Sequence, residues 1–277
     1  MLSQLKGSWK PKVKKFARVI LTVVLTSSLF TTLQIPFAQQ SHAAQVLTLT
    51  DADALKFNRT TQGVNISGDG TANGNIVLYK GVGTFGGVTV DAAVTTSINT
   101  TEATVTAYDN PGSATTATGY LDNFMVNMNT TSSTAVAGGE VSFTFAFYEA
   151  GTYTGPNTGI PVVLRNVKMT SIDLDSSGTG GYQYSDFTGF QKYSLMSPTN
   201  LAVNPVSGTN RVRFIATKSG ARSSVPEDQV LIKYDAMSSV TLTFGNPVQS
   251  TTNYYGIVFG GWPGTCLLYT SDAADDT

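Results

Sequence analysis

Segment after segment, the chain alternates apolar and polar residues. Residues 46–50, 76–79, 88–94, 103–108 and 124–128 place apolar side chains at every second position. That is the period of a strand with one face in a core and the other in water. In the run 141–148, Val141, Phe143, Phe145 and Phe147 share one face and are expected to be buried. Further strands are expected at 162–174, with a bulge near Asn166, and at 182–187, 201–203, 211–216, 230–234, 240–244 and 254–259. Turn-forming clusters separate them, among them Ser67-Gly68-Asp69-Gly70, Asp109-Asn110-Pro111-Gly112 and Ser207-Gly208-Thr209-Asn210. No window shows the 3.6-residue period of an amphipathic helix. The pattern predicts an all-β fold, an antiparallel two-sheet sandwich of jelly-roll-like or Greek-key type.

Both ends depart from this pattern. Lys6, Lys10, Lys12, Lys14, Lys15 and Arg18 precede an apolar stretch over 19–33, and Ser41-His42-Ala43 follows with small residues suited to cleavage. Residues 1–44 therefore read as a secretory signal peptide. The apolar stretch is shorter than the ~20 residues of a membrane span. At the other end, Cys266 to Asp276 is similar to the translation of a transposase-based sequencing adapter. Residues 265–277 are accordingly expected to be a non-native tail that truncates the domain, which leaves one β-sandwich domain over 45–264.

These boundaries change the chemistry. The only histidine, His42, and the only cysteine, Cys266, both fall outside 45–264. The domain then has no imidazole and no thiol, so the commonest general base, nucleophile pairs and zinc ligands are missing. Of the 17 basic residues six lie in the signal, and of the 18 acidic residues three lie in the tail, which leaves 11 against 15. A domain of net charge about −4 lacks the basic footprint of a nucleic-acid binder and is a poor fit to an anionic membrane.

Four motifs carry candidate chemistry. Gly81-Val82-Gly83-Thr84-Phe85-Gly86 spells G-x-G-x-x-G, but a strand-forming stretch follows where a dinucleotide site needs a helix, so a glycine-rich hairpin is expected. Asp173, Asp175 and Ser177 occupy positions 1, 3 and 5 of a calcium-loop pattern, with Gly178 at 6; Asp186 is the candidate for the missing acidic ligand. The alternative is a solvated turn. Tyr182, Tyr184, Phe187 and Tyr193 form an aromatic group that either stacks on sugar rings or packs in the core. Arg211 and Arg213 share a strand face and either clamp an anion or meet carboxylates across a sheet.

Several of these segments together resemble a known family. Val141-Ser142-Phe143, Ser171-Ile172-Asp173-Leu174-Asp175, Phe187-Thr188-Gly189-Phe190, Val230-Leu231-Ile232-Lys233-Tyr234-Asp235 and the stretch 239–246 are similar to a family of secreted bacterial cell-surface, adhesin-like β-sandwich domains with no assigned activity. The resemblance implies a secreted or surface location and a partner in the extracellular matrix, a glycan or another surface component. The favoured expectation is a non-catalytic structural or adhesive module, with calcium as a candidate structural ion. A carbohydrate-binding module is the alternative. A glycan hydrolase using carboxylates alone is the third reading, since it needs only two facing acids.

Overall fold

The computed structural model describes residues 44–98, 103–110, 122–131, 139–175, 182–218, 225–247, 250–261 and 268–272. The chain divides into Met1–His42 and Ala43–Thr277, and every described residue lies in the second unit. The expected signal thus lies outside the described residues apart from Ala44.

Sixteen strands form among the described residues: β1 Gln45–Thr48, β2 Gly63–Ser67, β3 Ile76–Phe85, β4 Val88–Ile98, β5 Ala103–Tyr108, β6 Phe124–Thr130, β7 Gly139–Glu149, β8 Val162–Ile172, β9 Tyr184–Thr188, β10 Lys192–Met196, β11 Leu201–Pro205, β12 Arg211–Ala216, β13 Val230–Met237, β14 Ser239–Asn246, β15 Ser250–Val258 and β16 Leu268–Asp272. Among the described residues, helix is confined to a single turn, Arg59–Gln62, and a 3-10 turn, Pro226–Asp228. The first sheet runs β16-β10-β13-β8-β15-β6-β5, with β1 joining β8 in parallel. The second runs β11-β12-β9-β14-β7-β4-β3-β2 and is antiparallel throughout. From β6 to β15 the chain changes sheet at each step except the β11–β12 hairpin, as a jelly-roll-like sandwich requires.

The core lies between the sheets. Val141, Phe143, Phe145 and Phe147 of β7 all face it and are fully buried. Phe145 meets Phe57, Phe124 and Phe259 at ring-centroid distances of 5.3, 5.0 and 5.0 Å. Such offset and edge-on pairs add to the burial term. A smaller apolar cluster of Ile76, Leu78, Ala93 and Tyr153 packs separately, with Ile66 and Tyr148 against it.

Local irregularities follow from particular residues. Gly86 and Gly87, with φ of 58° and 83°, form the two-residue loop between β3 and β4. Positive φ at both positions is what a type I′ hairpin turn needs. The G-x-G-x-x-G segment is therefore part of a hairpin, as expected. At Asn166, φ is 58°, and the ladder is interrupted. The facing strand supplies an extra residue too, because Tyr234 pairs with Val167 and Ala236 with Arg165. Register is kept, so the expected bulge is a paired irregularity. Asn166 also donates from Nδ2 to the Leu49 carbonyl at 2.9 Å, just where β1 leaves β8.

Candidate functional site

The expected site residues separate onto different surfaces. β9 places Phe187 in the core, while Ser185 reaches across the sandwich to Ser171 at 2.9 Å. Strand alternation then turns Tyr184 and Asp186 to the outer face of the second sheet. On β12, Val212 and Phe214 face the core, so Arg211 and Arg213 project to that same outer face. β7 adds Glu140, since Val141 faces inward.

These five side chains form one network. Arg213 donates from Nε and Nη2 to Asp186 Oδ1 and Oδ2 at 2.8 and 3.0 Å. Arg211 Nη1 bridges Glu140 at 3.1 Å and Asp186 at 3.4 Å. Arg213 Nη2 also approaches Glu140 at 3.7 Å. The Tyr184 hydroxyl donates to Glu140 Oε2 at 3.2 Å. The Arg213 guanidinium covers the Tyr184 ring at 3.5 Å from its centroid, a favourable cation–π geometry. On its other face the ring lies over Gly245 of β14, where a Cβ would come within 2.3 Å of the tyrosine. A glycine inside a strand often marks such a close approach.

Electrostatics follow from burial. Asp186 is 1% exposed. Burial pushes its carboxyl up, and Arg213 and then Arg211 pull it back down. Burial pushes the Tyr184 hydroxyl well up, so it stays protonated. Two arginines balance two acids. The network is thus neither a free anion clamp nor a free cation site, and the arginines meet carboxylates across the sheet.

The remaining expectations need correction. Phe187 and Tyr193 lie in the core, and Tyr184 is sealed between Gly245 and Arg213, so only the half-buried Tyr182 retains exposure. The four do not form a stacking platform, because Phe187 and Tyr193 point into the core and Arg213 covers the Tyr184 ring. In the calcium pattern, Asp186 stands apart from Asp173 and Asp175. β8 ends at Ile172, and Asp173 turns with φ of 63°. Asp175 is buried, its N–H bonding Gln183 Oε1 at 3.2 Å. Asp186 is held by arginines in the other sheet, and Ser177 lies outside the described residues. Among the described residues no group of three or more His, Cys, Asp or Glu side chains is arranged to hold a metal ion.

Sequence reasoning missed Glu140 and Gly245 as members of the network. The usable signal was Gly245 between Phe244 and Asn246, a glycine within a run of strand formers. It also missed another buried acid, Asp109, just past the end of β5. Asp109 accepts from the Tyr79 hydroxyl at 2.8 Å and from the Met125 N–H at 3.1 Å. It thereby ties β3 of one sheet to β6 of the other.

No protein-family model matches the chain, and no curated protein matches it. Among solved structures, the N-terminal domain of the Streptococcus gordonii adhesin Sgo0707 is similar at 13% identity and a TM-score of 0.48, over 80% of this chain and 67% of that one. The glucan binding protein C of Streptococcus mutans, described as mediating sucrose-independent and sucrose-dependent adherence, is similar at 13% identity and a TM-score of 0.41. That match covers 67% of this chain, which spans 58% of the length of that protein. No helix among the described residues is long and apolar enough to cross a membrane.

Proposed function

We propose that this chain is a non-catalytic, extracellular β-sandwich module of a surface protein, which holds an external partner through its sheet faces. The observation that carries this reading is the Glu140–Arg211–Asp186–Arg213 network. It brings two acids close together, as a hydrolase does, but ties both to arginines. Asp186 has no exposed carboxylate surface, and an acid or base must reach the proton it moves. The same bonds clamp β7, β9 and β12 together across β14, which suits a module that bears load.

The test uses the full chain coupled to beads and presented to a panel of glycans and matrix proteins, with soluble sugar followed in parallel. Retention on a subset of surfaces without sugar release is the expected result. Sugar release that disappears in Glu140→Gln contradicts the non-catalytic half of the proposal. Failure to be retained on any surface contradicts the adhesive half.

A further inference from the structure

Strand register brings three lysines, far apart in sequence, into one line. Lys192 of β10 stands opposite Lys233 of β13, and Lys233 stands opposite Lys168 of β8. Their chain neighbours Tyr193, Ile232, Tyr234, Val167 and Met169 face the core. The three lysines therefore leave the first sheet on its outer face. Directly opposed residues sit about 5 Å apart, so three like charges occupy a line roughly 10 Å long. Arg165, exposed on β8, adds a fourth cation nearby.

Like charges set opposite one another weaken strand pairing, and the acids at hand answer only part of this row. Asp51 meets Lys168 at 2.6 Å. Its carboxyl is held below the usual range first by Lys168 and, more weakly, by Lys233, so one acid serves two lysines. Asp235 is exposed next to Tyr234, at the paired irregularity. Yet 45–264 as a whole carries more acid than base. The row is thus a local concentration of positive charge on an acidic domain, and not part of a general excess.

We infer that the Lys192–Lys233–Lys168 row is a docking track for a sulfated polysaccharide. The row is one side chain wide and crosses three adjacent strands, so it fits a single extended chain bearing anions along its length. A broad anionic surface would meet the acidic remainder of the domain and be repelled. This inference rests on the adhesive reading and supplies the ligand class for it.

The experiment measures retention of the full chain on immobilised heparin, with neutral dextran as control, across a salt series. The test variant is Lys168→Gln/Lys192→Gln/Lys233→Gln. A charge-matched variant, Lys56→Gln/Lys80→Gln/Lys218→Gln, changes exposed lysines elsewhere. The unaltered chain is expected to bind heparin and not dextran, and to release as salt rises. The row variant should lose at least tenfold in affinity, and the matched variant less than twofold. Equal losses in both variants, or no heparin binding by the unaltered chain, overturn the inference. Retention on a matrix protein with no heparin binding by the unaltered chain leaves the adhesive reading intact and overturns this one alone. Circular dichroism and melting of the row variant separate lost binding from lost folding, and removal of opposed like charges should leave the midpoint unchanged or higher.

Discussion

Asp109 shows how a single residue can set the solution behaviour of a domain. Its carboxyl is buried beside Tyr79, Tyr108 and the main chain of β6, with Arg59 the nearby cation. Burial pushes it from the ordinary 3.8 up to about 7. The folded state therefore holds this proton more tightly than the unfolded chain does. Its stabilising contribution is full below 3.8 and is lost as pH rises through about 7. Melting midpoints measured from pH 3 to pH 9 should include a fall across that window. In Asp109→Asn that component should vanish, and the variant should be the more stable of the two at pH 8. The sequence put Asp109 in an ordinary turn cluster. Nothing in Asp109-Asn110-Pro111-Gly112 reveals that the preceding tyrosine and Tyr79 enclose the carboxyl.

Among the elements, the strands with one buried face were the most legible. β5 and β12 have the expected limits, and β7 buries the four residues its alternation pointed to. The strands that were not expected explain themselves. β2, GVNIS, lies on a sheet edge with much of its surface in water, so its alternation is faint. β10, KYSLM, was hidden because its aromatic residue was grouped with those of β9 and not read as part of a separate strand. The site was less legible still, since Glu140, Asp186 and Arg213 sit on three different strands and only register unites them. The lysine row has the same character. Gly245 is the element-scale device that lets β14 pass beneath the Tyr184 ring. Gly245→Ala sets a Cβ 2.3 Å from that ring, and the tyrosine must lift off its strand. The substitution should cost about 2 kcal/mol by overpacking. Chemical denaturation would measure it, as a lower midpoint with an unchanged slope.

At the scale of the molecule, the sandwich arrangement follows from how the chain distributes charge and aromatic bulk. Phenylalanines fill the space between the sheets, and on the outer face of the second sheet two acids and two arginines neutralise one another. The exposed remainder is dominated by hydroxyl and amide side chains, with the lysine row on the opposite sheet as the local exception. A catalytic site would invert this, leaving an acid strained or incompletely paired at some cost in stability. The melting midpoint of Asp186→Asn compared with the unaltered chain distinguishes the two most directly. If Asp186 is a structural strut, its loss leaves Arg213 and Arg211 facing a neutral amide and should cost about 3 kcal/mol, lowering the midpoint by roughly 5 to 10 °C. A midpoint that stays level or rises would contradict the account, because it would mark Asp186 as a residue held in place for chemistry and not for the fold.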